Sequence, residues 1–129
     1  LSWGINNLLS ICNFCSVPIH AMTYYNLVES VRAITGWDTS LFEIMRASER
    51  SMVMSRLFNS REGLGASDDR VIDRWHEPMP DGPLAGKKID REEFREAIQL
   101  YYQMMGWDED GCPSHAKLSE LSLDWAAKG

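Results

Sequence analysis

The sequence predicts an all-α (mainly α) fold: a compact helical domain of about four to five helices with one long Pro/Gly-rich loop. Three observations carry that prediction. No segment sustains the apolar/polar alternation of a half-buried strand. Phe94, Ala97, Ile98, Tyr101, Tyr102 and Met105 occupy the i, i+3, i+4, i+7, i+8 and i+11 positions of one helix face without a miss. Glycine also stops two apolar runs, at Gly36 and Gly106, where a left-handed residue closes a helix.

Residues 1–11 read as the end of a helix, with Trp3, Ile5, Leu8, Leu9 and Ile11 apolar, and residues 12–17 as a turn. Pro18 suits the first position of a new helix, where its missing N–H is no loss. Ile19, Met22, Leu27, Val28, Val31 and Ile34 continue it at helical spacing to Gly36. Ser40 and Glu43 have the spacing of a capping box, in which hydroxyl and carboxylate each satisfy an orphan backbone N–H. The helix they open runs from Ser40 to Asn59, with Leu41, Met45, Ser48 and Met52 on one stripe and Val53, Leu57 and Phe58 extending the apolar face.

Residues 60–88 hold Gly63, Gly65, Asp68, Asp69, Pro78, Pro80 and Pro83, which favour turns and extended backbone, with a short helical turn between Asp69 and Trp75. A loop this long inside a compact domain is a candidate for function or for an interface. Asp90, with Glu93 three residues on, caps the helix that Gly106 ends. Trp107–Pro113 is a loop, and Ser114 caps a last short helix through Leu118 and Leu121. The repeated Gly-Trp-Asp at Gly36 and Gly106 reads as helix-ending chemistry: glycine turns the chain, tryptophan packs back, and aspartate opens the next segment.

A chain of 129 residues is large enough for one domain with its own core, so residues 1–129 are expected to form a single helical domain. The net charge of −6 leaves no basic stripe for a nucleic-acid backbone. No run reaches the roughly 20 apolar residues of a membrane span. No basic start leads into an apolar run, and three cysteines are an odd number for a disulfide framework, so a reducing cytoplasm is expected. A start at Leu1, with motif-like residues at once, suggests a fragment of a larger chain.

Cys12-Asn13-Phe14-Cys15 is a C-x-x-C, a spacing that serves zinc, iron–sulfur or redox chemistry, or else places two small residues at a helix end. A redox role wants a strand before the motif, and none is predicted. An all-cysteine iron–sulfur site takes four thiolates, more than the chain's three cysteines supply. A zinc site from Cys12, Cys15, Cys112 and a histidine matches no common ligand spacing. His20, His76 and His115 are scattered and read as surface or polar-core residues. Asp68, Asp69 and the Asp108-Glu109-Asp110 run read as solvated charges or caps, and Arg61, Glu62 and Arg70 as an ion-pair network bracing the long loop.

Leu57-Phe58-Asn59-Ser60-Arg61-Glu62-Gly63 resembles the L-F-N-x-R-E-G of the tungsten/molybdenum-pterin aldehyde:ferredoxin oxidoreductases. Other segments occur in that family's order: Thr35-Gly36-Trp37-Asp38 upstream, then Asp68-Asp69-Arg70, the Glu77–Pro83 stretch, Tyr101-Tyr102, Gly106–Gly111, Lys117-Leu118 and Glu120-Leu121. Together they are similar to the C-terminal helical region of such enzymes. The N-terminal stretch Asn7-Leu8-Leu9-Ser10-Ile11-Cys12 resembles the family's D-x-x-G-L-C, whose Asp helps hold a pterin and whose Cys is one ligand of a four-iron cluster. Asn7 stands where the family has Asp, and Ser10 where it has Gly.

The resemblance implies Asn7, Ile11 and Cys12 as cofactor-binding residues and Cys12 as a metal ligand, with no catalytic residue carried over. It implies a parent enzyme that holds a 4Fe-4S iron–sulfur cluster and a tungsten or molybdenum pterin, oxidises a small aldehyde to its acid, and passes electrons to ferredoxin. The N-terminal domains of that enzyme would be this chain's partners, with no nucleic acid and no membrane. The isolated chain is expected to bind neither cofactor and to be inactive. The alternative is a stand-alone helical interaction subunit derived from the same family, without cofactor.

Overall fold

The computed structural model describes residues 2–16 and 22–127. Along them run α1 (Ser2–Leu8), α2 (Asn13–Ser16), α3 (Tyr24–Thr35), α4 (Leu41–Arg61), α5 (Arg91–Met105) and α6 (His115–Glu120), with 3₁₀ turns at Ala66–Asp68, Asp73–His76 and Asp124–Ala127. The fold is all-α, as predicted: the described residues form no strand, only an isolated antiparallel bridge between Trp107 and Pro113. The chain separates into two compact units, Leu1–Ser55 and Arg56–Gly129, the division falling within α4.

The first unit is built on Ile5 of α1, Leu27 and Val28 of α3, and Ile44 of α4, all buried together. Leu8, Leu9, Ile11, Met22, Val31, Leu41 and Met45 pack around them. The capping box forms as expected: Ser40 N–H donates to Glu43 Oε2 at 2.8 Å, and Glu43 N–H donates to Ser40 Oγ at 3.3 Å. The Ser40 hydroxyl, which donates to the same Glu43 Oε2 at 2.8 Å, and then Ser40 N–H hold the Glu43 carboxyl below its usual pKa.

Four expectations differ from the structure here. The second helix begins at Tyr24, because the Thr23 hydroxyl caps it by accepting from Asn26 N–H at 3.2 Å. Pro18, Ile19 and His20 lie outside the described residues. Ile34 continues the stripe of Leu27, yet it is 84% exposed, because none of the described residues packs there. Trp37 is 69% exposed and does not pack back on its helix, whereas Trp107 does. The expected turn after residue 11 holds the single helical turn α2.

In the second unit, Asp90 Oδ1 caps α5 by accepting from Glu92 and Glu93 N–H groups at 2.8 and 3.2 Å. These bonds lower the Asp90 pKa. Ser114 Oγ does the same for α6 through Lys117 N–H at 3.2 Å. The short turn expected between Asp69 and Trp75 lies at Asp73–His76. The Pro/Gly-rich loop closes on itself through its backbone: Met79 N–H donates to Lys87 carbonyl at 2.9 Å, and Gly86 N–H to Met79 carbonyl at 2.8 Å. Ile89 N–H then donates to Trp75 carbonyl at 2.9 Å, and Ile89 carbonyl accepts from His76 Nδ1 at 2.8 Å.

Candidate functional site

The corner singled out by the sequence is a helix cap. Ile11 N–H reaches back to Asn6 carbonyl at 2.8 Å, and Ser10 N–H to Asn7 carbonyl at 3.2 Å, with Ser10 at φ +55°. That pair of bonds makes a Schellman motif, in which the residue past the helix end turns left-handed and the next apolar residue latches onto the helix. Ile11 is that latch, half-buried against the cluster containing Ile5. Asn6 is buried and donates through Nδ2 to Asn13 Oδ1 at 2.9 Å, tying α2 to α1.

The geometry sorts the three candidate residues. Asn7 is exposed at the end of α1, Ile11 is anchored, and Cys12 is exposed directly after the latch. The side chain of Cys15 lies outside the described residues. Among its described side chains the corner therefore offers one accessible thiol, Cys12, and one accessible amide, Asn7. Among the described residues no three His, Cys, Asp or Glu side chains are grouped to hold a metal ion. These residues fit one ligand contributed to a larger centre, not a whole centre. Cys112 is half-buried, its thiol 3.8 Å from Ser60 Oγ.

The second unit holds a polar centre that sequence reasoning missed. Arg56 is buried and donates from Nε to Gly111 carbonyl at 2.7 Å and from Nη2 to Asp69 Oδ2 at 2.8 Å and Asp110 carbonyl at 3.4 Å. Its guanidinium lies over the rings of Tyr102 and Trp107, 5.6 and 5.4 Å from their centroids. The Tyr102 hydroxyl also donates to Asp69. Burial works against the Arg56 charge, but Asp69 more than offsets it and the pKa rises. Burial and the bond to Asp69 push the Tyr102 phenol up to about 12.

Asp69 is thus no solvated loop charge, and it ties the loop to α4 and α5. The network expected from Arg61, Glu62 and Arg70 does not form: Arg61 donates instead to Ala126 carbonyl. Gly111 lies against the centre at φ +74°, where a Cβ would come within 2.1 Å of Arg56 Nη2 and 2.8 Å of Tyr102 Cζ. The available signal was a lone arginine, Arg56, between the apolar positions Val53 and Leu57 of one helix.

Comparison with known proteins places the chain in a family. Residues 2–123 match the family model described as aldehyde ferredoxin oxidoreductase, domains 2 and 3. The chain belongs to the aldehyde ferredoxin oxidoreductase family. It is 35% identical over 115 residues to the tungsten-containing aldehyde ferredoxin oxidoreductase of Pyrococcus furiosus, and 34% identical over 116 residues to that of Pyrococcus horikoshii. Each match covers 88% of this chain and 18% of the relative, so the chain spans less than a fifth of those enzymes.

A second Pyrococcus furiosus protein, the WOR-like subunit of an aliphatic sulfonate oxidoreductase, is 27% identical over 124 residues, 92% of this chain and 19% of its own length. Among solved structures, the active-site complex BamBC of benzoyl-coenzyme A reductase with 1,5-dienoyl-CoA shares the fold. Its TM-score is 0.65 at 23% identity, over 82% of this chain and 15% of that one. Among the described residues no helix is long and apolar enough to cross a membrane.

Proposed function

We propose that this chain is the C-terminal helical part of a cytoplasmic oxidoreductase that converts a small aldehyde to its carboxylic acid. In that reading Cys12 supplies one thiolate to a 4Fe-4S cluster, Asn7 meets the edge of a tungsten or molybdenum pterin, and Ile11 fixes the backbone between them. The pterin metal and the cluster, when bound, supply acceptance of the substrate's electrons and their relay to ferredoxin. The chain's own part is positional. The Schellman cap holds the Cys12 thiol at the surface beyond Asn7. Asn7 gives a neutral amide where a carboxylate would make charge-assisted bonds, so its contact with the pterin is the weaker kind.

The observation that carries this reading is the coincidence of the family's Cys position with an accessible thiol on a rigid cap. Exposure elsewhere supports a role inside something larger: among the described residues eighteen large hydrophobic side chains are exposed, against ten buried hydrophobic residues. Exposed apolar surface on that scale marks faces made to be covered.

Anaerobic reconstitution with iron and sulfide tests it. The 129-residue chain alone should develop no cluster absorption and oxidise no aldehyde. The protein purified at its native length should contain iron that Cys12→Ser removes. A cluster or aldehyde oxidation in the isolated chain refutes the reading. A native product of this size free of iron and tungsten supports instead a stand-alone helical interaction subunit.

A further inference from the structure

The Pro/Gly-rich loop of the second unit carries a surface that neither capping nor core packing accounts for. Trp75, Met79 and Leu84 stand 57%, 47% and 57% exposed around an open groove of about 510 Å³. The backbone bonds that join Met79 to Lys87 and Gly86, and Trp75 to Ile89, fix the loop around them. The groove is therefore preformed, and filling it costs little ordering of the loop.

Its rim is cationic. Arg74, Lys87 and Lys88 line it against a single carboxylate, Glu77. None of these three cations has an ion-pair partner among the described residues, whereas Arg32, Arg46, Arg56, Arg91, Arg95 and Lys117 are all paired. In a chain of net charge −6, unpaired positive charge gathered over an apolar floor is a local reversal of the overall field.

We propose that this groove seats an acidic, apolar segment from the remainder of the enzyme's polypeptide. An aliphatic or aromatic side chain enters between Trp75, Met79 and Leu84, and flanking carboxylates face Arg74, Lys87 and Lys88. The inference rests on the reading that the chain works inside a larger oxidoreductase. The curated relatives carry more than four-fifths of their length outside the matched stretch, which is ample chain to cover the groove. Apolar burial supplies the affinity, and the charge pattern fixes which segment docks and in which direction.

Hydroxyl-radical footprinting tests this on the 129-residue chain and on the protein purified at its native length. Oxidation of Trp75 and Met79 is expected to be at least fivefold slower in the native-length protein. Reversing the rim with Lys87→Glu and Lys88→Glu together should return it to within twofold of the isolated chain. Arg95→Glu, an exposed change on α5, should leave the protection intact, and circular dichroism verifies that each variant is folded. Equal oxidation in the two proteins overturns the proposal, and so does protection indifferent to the rim charges. Cys12→Ser separates the two readings. Loss of iron with Trp75 still protected supports both, iron indifferent to Cys12 with Trp75 protected overturns only the ligand reading, and iron dependent on Cys12 with Trp75 reactive overturns only the groove.

Discussion

Replacing Arg56 by methionine keeps a long apolar stem and removes everything the guanidinium does in the second unit. Four oxygens lose a donor, Gly111 carbonyl, Asp110 carbonyl, Asp69 Oδ2 and the Tyr102 hydroxyl, and of these Asp69 Oδ2 keeps the Tyr102 O–H. Bonds to a charged donor are worth about 1.5–3 kcal/mol each when buried, and the cation over two rings adds about 0.5–2 kcal/mol. Breaking a buried pair by deleting one partner costs about 3–5 kcal/mol. Asp69 keeps 30% of its side chain in contact with solvent, so water recovers part of that loss. The expected cost of Arg56→Met is therefore at the low end, about 3 kcal/mol. Urea unfolding followed by far-ultraviolet circular dichroism reads it as a midpoint lower by about 1–3 M, since the slope is about 1–3 kcal/mol per M. Combined with Asp69→Asn, the loss should be non-additive by about 1–2 kcal/mol. A loss under about 1 kcal/mol, or additivity within about 0.5 kcal/mol, would refute the view that this ion pair organises the unit.

Other expectations come from single sites. Ser10 holds φ +55°, which costs a residue with a β-carbon about 1–2 kcal/mol, whereas glycine gives back about 0.5–1 kcal/mol in chain entropy. Ser10→Gly should thus raise stability by about 0.5–1 kcal/mol in the same assay, and a destabilised variant would contradict the left-handed cap. Ser48 is fully buried, and its hydroxyl has no hydrogen-bond partner among the described residues, so Ser48→Ala should stabilise by about 1 kcal/mol, and thermal unfolding at a lower temperature than the parent would speak against it. Tyr102 titrates from about 12 in the folded chain against 10.0 ordinarily. The neutral phenol is favoured by folding, so its contribution is whole below pH 10 and drains away as pH rises toward 12. Tyr102→Phe should flatten that alkaline limb of the stability profile, and an unchanged limb would assign it elsewhere.

The fold class was legible because helix signals are local. The template of α5, the Ser40/Glu43 box and the caps at Asp90 and Ser114 each depend on residues within a few positions of one another. The candidate corner was legible in part. Residue identities marked Asn7, Ile11 and Cys12, but no local rule says that Ser10 goes left-handed, since glycine is the residue that ordinarily does so. The Arg56 centre was not legible, because it joins residues from α4, the loop and the turn after α5, separated in sequence by up to 55 positions. Asp69 looked like a loop charge for the same reason. Apolar periodicity likewise said where Ile34 and Leu27 share a face, but not that only Leu27 finds a partner among the described residues.

Of the three departures from D-x-x-G-L-C, Ile11 for leucine is conservative, and Asn7 and Ser10 act on different quantities. Position 10 is the left-handed residue of the cap, so serine there strains the backbone, while the bonds from Ser10 N–H to Asn7 carbonyl and from Ile11 N–H to Asn6 carbonyl are both made. Its effect belongs to stability. Position 7 lies in the last turn of α1, where backbone carbonyls already present negative charge. A carboxylate there opposes the helix dipole, at about 0.3–1 kcal/mol, and an amide removes that opposition. Asn7 therefore relieves the helix of that opposition. Ser10 and Asn7 shift stability in opposite directions by similar amounts, so the cap that presents Cys12 stays close to the strength of a D-x-x-G-L-C cap.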